Sequence, residues 1–284
     1  MPHPDADLRV TAADVERLVA AQHPSLLAPV RHVAHGWDNE LFRLGDDLAV
    51  RLPRRAVAAP LIEHEQRWLP QLAEALPVPI PAPVAVGVPG QGYPWAWSIV
   101  PWFEGHPATG RTPGERDAFA GPLGAALRTL HTPAPSDAPH NPVRGVPLAE
   151  RDAVVRERLA GHPDLAAAWR DGVAAPAWDR APVWVHGDAH PGNLVVRDGR
   201  LVALVDFGDM CAGDPACDLA IAWSAFTPAG RAAFRDTLGP GYDEAVWVRA
   251  RAWAAAFAML SLDSPDPGMR AMAEHARAAI AGAA

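Results

Sequence analysis

Apolar positions change their spacing near residue 100. Before it, short runs dominate: Val30–His35, Glu40–Leu44 and Leu48–Leu52 read as strands. Gly36-Trp37-Asp38-Asn39 and Gly45-Asp46-Asp47 separate them and suit tight antiparallel turns. Ahead of these strands a helix is predicted over Thr11–Ala21, with Thr11 or Asp14 as its cap and Val15, Leu18 and Val19 at helical spacing. A second helix is predicted over Pro60–Leu76, carrying Leu61, His64, Trp68 and Leu72 on one side. The Pro-rich stretch Pro77–Pro83 then leads to two further strand candidates, Val84–Val88 and Trp95–Val100.

Beyond Pro101-Trp102-Phe103-Glu104-Gly105 the spacing turns helical. Pro113–His131 holds Phe119, Leu123, Leu127 and Leu130 one turn apart, and Leu148–Leu159 and Asp164–Gly172 follow a Pro-rich link over Thr132–Pro147. Strand-like runs interrupt at Val183–Val185, Leu194–Val196 and Leu201–Val205. From Asp214 onward the chain is helical by period, including Tyr242–Leu262 and Gly268–Ala281. The pattern predicts an α+β chain, with a strand-rich antiparallel part over 1–100, a joint at 101–105 and a mainly helical part over 106–284.

Composition narrows the function classes. A net charge of −8 over 284 residues argues against general binding to nucleic acid phosphates. All 25 basic residues are Arg, so any role that usually falls to Lys must be filled by Arg. Two cysteines, Cys211 and Cys217, are too few for a disulfide framework. Neither a secretory leader nor a membrane span is expected: the start lacks basic and apolar regions, and Ala252–Leu262 is about half the roughly 20 residues a bilayer requires. The expectation is a cytoplasmic protein without nucleic acid or membrane partners; oligomeric state is left open.

The chemistry concentrates in Val185-His186-Gly187-Asp188-Ala189-His190-Pro191-Gly192-Asn193-Leu194 and in Leu204-Val205-Asp206-Phe207-Gly208-Asp209. Asp188 and Asn193 lie five apart in a loop that Pro191 and Gly192 force to double back, and Asp206 closes an apolar run. An Asn carbonyl oxygen and a carboxylate converging from adjacent segments make a hard-oxygen site suited to Mg²⁺. Asp188 stands apart from that pair, available to accept a proton. One base and one metal clamp are what phosphoryl transfer to a hydroxyl requires.

His186-x-Asp188-x-x-x-x-Asn193 with Asp206-Phe207-Gly208 follows the spacing of the protein-kinase catalytic loop and its metal-binding Asp-Phe-Gly. The longer string His186-Gly187-Asp188-x-His190-Pro191-Gly192-Asn193, with Gly213-Asp214-Pro215 and Asp218-Leu219-Ala220 after it, resembles the aminoglycoside phosphotransferase family, which includes macrolide kinases. The resemblance implies a bilobal protein-kinase-like fold with an antiparallel-sheet N-lobe and a mainly helical C-lobe. It implies Asp188 as catalytic base, Asn193 and Asp206 as Mg²⁺ ligands, and ATP or GTP as phosphoryl donor. His186 and His190 read as loop-stabilising, and Asp218 as structural or as an anchor of the loop. Asp214 before Pro215 reads as a helix cap.

In the N-lobe the resemblance places Arg51 of Leu48-Ala49-Val50-Arg51-Leu52 where the family carries a phosphate-contacting Lys, with Glu65 as its partner and Glu63 as the runner-up. Gly36 marks the nucleotide-covering turn by position only. Pro101 and Phe103 fall where the family holds adenine with a carbonyl and an N–H. Asp209 is the candidate to face a cationic substrate. The implied acceptor is a small-molecule hydroxyl, in first place that of an aminoglycoside-type antibiotic. Alternatives are a macrolide, a metabolic sugar or amino-alcohol, or a nucleotide-binding pseudokinase without turnover, against which Asp188, Asn193 and Asp206 all argue. Asp243, Glu244, Asp263 and Asp266 favour a polycation; Trp223, Phe226, Trp247, Trp253 and Phe257 would wall an apolar pocket unless they turn into the core.

Overall fold

The computed structural model describes residues 4–282, which divide into two compact units. One comprises residues 4–75 and 80–104; the other comprises residues 76–79 and 105–282.

The first unit is a twisted antiparallel sheet with two helices. Helix α1 (Ala12–Gln22) starts at a reciprocal capping box between Thr11 and Asp14, so both sequence candidates take part. Strands β1 (Val30–His35), β2 (Asn39–Leu44) and β3 (Leu48–Pro53) form the expected meander. Helix α2 (Ala59–Ala75) follows, then β4 (Ala85–Gly87) and β5 (Trp97–Pro101). The sheet order is β1-β2-β3-β5-β4, antiparallel throughout. One sheet face packs Phe42, Leu44, Val50, Leu52, Trp97 and Ile99 against Val15, Leu18 and Val19 of α1. Helix α2 buries Ile62, Glu65, Trp68 and Leu69, a stripe rotated from the predicted Leu61, His64, Trp68 and Leu72, because the buried Glu65 must reach Arg51.

The second unit opens with β6 (His106–Pro107), α3 (Pro113–Arg116) and α4 (Ala120–Leu130). The single helix predicted over Pro113–His131 is broken. Pro122 has no N–H to bond back to Ala118, and Asp117 is turned aside to accept the Thr227 N–H at 3.0 Å. Helices α5 (Leu148–Arg158) and α6 (Pro163–Ala174) precede β7 (Val183–Val185), β8 (Leu194–Arg197), β9 (Arg200–Leu204) and β10 (Cys211–Gly213). Strands β6 and β10 escaped the sequence reading because two or three residues leave no alternation to see. The C-terminal stretch resolves into α7 (Ala216–Leu219), α8 (Ile221–Ala225), α9 (Pro228–Leu238), α10 (Glu244–Ser261) and α11 (Pro267–Ile280). Helix α10 is the axis of this unit, packed by α6, α7 and α11. Among the described residues no helix is long and apolar enough to cross a membrane.

Candidate active site

Strand β7 delivers the chain into the loop at His186, and β8 and β9 carry it back to Asp206. Asp218, fully buried at the start of α7, holds the loop from below: its carboxylate accepts the His186 N–H at 2.7 Å and the Gly187 N–H at 2.9 Å, and lies 3.2 Å from His131 Nε2. His186 is also fully buried. Its Nδ1 accepts the Asp188 N–H at 3.2 Å, so Nε2 carries the proton and donates to the Val205 carbonyl at 3.0 Å. That imidazole is a strut joining the two halves of the loop. Asp214 does accept the Ala216 N–H at 3.0 Å, but its main partner is the buried Arg249, whose Nε donates at 2.6 Å.

Two glycines of the string are required by space. Gly187 sits at φ +82°, and a Cβ there would lie 2.3 Å from the Asp209 carbonyl oxygen. At Gly192 a Cβ would lie 2.5 Å from His190 Cε1, where the imidazole caps the following turn by accepting the Gly192 N–H.

Asp188 emerges with its carboxylate one-third exposed. Asn193 donates Nδ2 to the Asp188 carbonyl at 2.9 Å and to its Oδ2 at 3.3 Å. His190 Nε2 lies 3.4 Å from the same carboxylate and Arg144 Nη2 3.6 Å from it. Burial pushes the Asp188 carboxyl up, but His190 and Arg144 outweigh it and hold the group well below the usual carboxylate range. It is therefore ionised at neutral pH.

Asp206 is exposed just past β9, with φ +63°. A left-handed, non-glycine residue at this point is backbone strain held by its surroundings, including the Val205 N–H to Asn193 carbonyl bond at 2.9 Å. Since Asn193 commits its amide nitrogen to Asp188, its carbonyl oxygen is the atom left to meet a cation. That oxygen and the Asp206 carboxylate are hard donors suited to Mg²⁺. Among the described residues no group of three or more His, Cys, Asp or Glu could hold a metal by itself. Those two donors would leave most of a Mg²⁺ coordination shell to water and phosphate oxygens.

Asp209 lies beside this loop. Its Oδ1 accepts from Asn141 Nδ2 at 2.8 Å, and its Oδ2 lies 3.4 Å from Arg144 Nε. Burial raises the Asp209 carboxyl above its ordinary value, only partly opposed by Arg144 and Asn141. Asn141 and Arg144 come from the Pro-rich link and had no periodicity to mark them. Nothing in the sequence separates them from the other polar residues of that link, Thr132, Ser136, Asp137 and His140.

Beside Asp188 opens a cavity of about 160 Å³. Arg144, Asp188 and His190 are its charged or titratable lining, and Ile221, Ala254, Phe257, Leu260 and Met272 make up much of its apolar wall. Of the five candidate aromatics only Phe257 lines it; Phe226, Trp247 and Trp253 are buried core, and Trp223 packs against Trp247. The acidic candidates are used elsewhere: Asp243 caps α10, Asp266 caps α11, Glu244 pairs with Arg235, and Asp263 is exposed.

In the first unit Arg51 on β3 and Glu65 on α2 form a buried ion pair at 2.5 Å, whereas Glu63 is exposed. Gly36 lies in the exposed β1–β2 turn, its N–H bonded to the Asn39 carbonyl at 2.8 Å. Pro101 ends β5 opposite Leu48, and Phe103 follows in the segment after it.

Comparison with known proteins follows this geometry. The model of the phosphotransferase enzyme family matches residues 29–253. Among solved structures, the GDP and kanamycin complex of APH(2″)-IIia is similar at TM-score 0.68 and 17% identity, over 94% of this chain and 98% of that chain. The GDP complex of wild-type aminoglycoside 2′-phosphotransferase-IIIa is similar at 0.67 and 16%, over 96% and 99%. A macrolide 2′-phosphotransferase from Brachybacterium faecium, as apoenzyme, is similar at 0.62 and 20%, over 95% and 97%. At these identities the likeness establishes the kinase-like α+β fold. A search of curated proteins found no match.

Proposed function

The chain belongs to the phosphotransferase enzyme family, and on that premise we propose that it transfers the γ-phosphoryl group of ATP or GTP to a hydroxyl of a small molecule. The observation that carries this reading is Asp188: an ionised carboxylate, oriented by Asn193, facing a cavity large enough for part of an acceptor. Several of the similar structures hold GDP or ADP, which supports a nucleotide donor.

In this reading Asp188 orients the acceptor hydroxyl and takes its proton as the oxygen bonds to the γ-phosphorus. The bond from phosphorus to the bridging oxygen breaks, leaving the nucleoside diphosphate. A carboxylate held so far below its usual range is a weak base. Its main contribution is therefore orientation, with proton uptake late in the transfer. Asn193 and Asp206 would hold Mg²⁺, whose chemistry there would be neutralisation of charge on the phosphates. Arg51, fixed by Glu65, is the phosphate contact, with a fork in place of a Lys point charge. The Pro101 carbonyl and the Phe103 N–H serve the nucleobase, and the turn at Gly36 covers the nucleotide.

For the acceptor, the sequence puts an aminoglycoside-type antibiotic first, with Asp209 as its cation contact; in the structure Asp209 already faces a cation, Arg144 Nε at 3.4 Å from its Oδ2. A second class has a specific observation behind it: the wall of Ile221, Ala254, Phe257, Leu260 and Met272 suits an acceptor with an apolar body, as a macrolide has. The test is release of ADP or GDP in the presence of Mg²⁺ across aminoglycosides, macrolides, sugars and amino-alcohols, with Asp188→Asn as control. Acceptor-dependent release that disappears in the control supports the assignment, and nucleotide binding without turnover on any acceptor would leave the pseudokinase reading.

A further inference from the structure

The cavity beside Asp188 contains a cation of its own. Arg144 sits with its side chain 19% exposed, Nη2 3.6 Å from Asp188 Oδ1 and Nε 3.4 Å from Asp209 Oδ2. Its guanidinium carbon lies 5.1 Å from the centre of the Phe257 ring. These contacts are electrostatic and not closely bonded: the buried Nε has no hydrogen-bond acceptor.

The backbone that delivers Arg144 is fixed on both sides. Asn141 Oδ1 accepts the Val143 N–H at 2.9 Å, Cys211 Sγ meets the Arg144 carbonyl at 3.6 Å, and Asp214 donates its N–H to the Gly145 carbonyl at 2.8 Å. A loop pinned in this way holds the guanidinium at the cavity wall.

We propose that Arg144 is a specificity-determining residue that occupies the cation position between Asp188 and Asp209 and thereby turns away polycationic acceptors. This rests on the reading of the Asp188 cavity as the acceptor site. Asp188 in the cavity wall and Asp209 on the other side of Arg144 would together attract a substrate ammonium. With a guanidinium already between them, an arriving ammonium meets a like charge across a partly desolvated space, where repulsion is weakly screened. The remaining wall offers no compensation: Asp188 is its only carboxylate. What fits instead is a hydroxyl compound with an apolar or uncharged body, and any anionic group on it would pair with Arg144.

The experiment measures binding, not turnover, on the intact chain by calorimetry, using kanamycin as the polycation and octyl β-glucoside below its micelle concentration as the uncharged probe. Arg144→Met should bind kanamycin at least tenfold more tightly than the parent. The gain should shrink with added salt and vanish in Arg144→Met/Asp209→Asn. Octyl glucoside affinity should change less than threefold across the set. Arg144→Lys, which keeps the charge, should exclude kanamycin as the parent does; a purely structural role would not make that distinction. Arg144→Gln replaces Arg144→Met if the latter melts early. Kanamycin binding to the parent as tight as to Arg144→Met, or a gain that survives Asp209→Asn, would overturn the proposal. Because no step depends on phosphoryl transfer, nucleotide release tests that reading separately: the kanamycin gain without turnover on any acceptor retains Arg144's role and removes the phosphotransferase.

Discussion

The loop around Asp188 and the Arg51–Glu65 pair hold charge in opposite ways. In the pair, two side chains on regular elements reach across to each other, and the β3 backbone is paired with β2 and β5 on either side. In the loop the backbone is irregular, so side chains serve it. Asp218 takes two of its N–H groups, His186 bridges Asp188 to Val205, and Asn193 and His190 tie the turn. A charge on a regular element can be met by a side chain on a neighbouring regular element. A charge on an irregular loop depends on a whole set of residues, each restricted to one type.

That difference explains what was legible. Gly187 and Gly192 have no room for a Cβ, Pro191 opens the short turn, and His186 and Asp218 must accept from fixed N–H groups, so the loop spells itself out in the chain. Most strands and helices were legible for the separate reason that burial repeats with period. Arg51 had only one letter and a strand register to mark it. Arg144 and Asn141 had less, since the Pro-rich link has no period and their meeting with Asp209 arises from tertiary folding alone. The broken helix near Asp117 was missed likewise, because its Thr227 partner lies more than a hundred residues away.

The sharpest way to break the comparison is at Asp188. Asp188→Asn keeps the shape of the loop and removes the charge, so turnover should fall roughly 10²–10⁴-fold with nucleotide affinity nearly unchanged. Steady-state kinetics beside a nucleotide titration checks this. Near-native turnover would mean that the loop positions something other than the reacting hydroxyl.

Next in size is the pair. Arg51→Ala leaves Glu65, 2% exposed, without its Arg51 bond and should cost about 3 kcal/mol of stability, along with a raised nucleotide KM. Arg51→Lys should restore much of both, since a regular scaffold asks only for a cation within reach. Denaturant melts and KM values for the two variants decide; equal loss in both would show that the guanidinium fork itself is needed.

The loop should not tolerate the equivalent exchange. Asp218→Asn puts an amide NH₂ against one of two N–H donors, at about 1–3 kcal/mol, and Asp218→Glu is too long for the same buried space. Both should lower turnover more than stability accounts for, as Asp188 loses its orientation. A shift in Tm with normal turnover in the folded fraction would show that the loop keeps its shape without this anchor.

The smallest effect belongs to a charge pair that serves neither region. Asp164, in the first turn of α6, accepts from Arg277 of α11 through Nε at 2.6 Å and Nη2 at 3.1 Å. Both helices pack on α10, so the pair braces the bundle. The geometry is bidentate, but the side chains are 30% and 41% exposed and water screens them, which limits the contribution to about 0.5–1 kcal/mol. The Arg277 hydrogen bonds hold the Asp164 carboxyl below its ordinary range. A lowered folded value means that the stabilisation is whole above the ordinary carboxylate pKa and is lost as pH falls through the lowered one. Asp164→Asn should therefore reduce Tm by roughly 1–3 °C at pH 7, with the gap to the parent closing as pH drops below about 4. Turnover should be unchanged, because the pair touches neither the loop nor Arg51. A gap that stayed constant down to pH 3 would assign the loss to packing of the side chain and not to its charge.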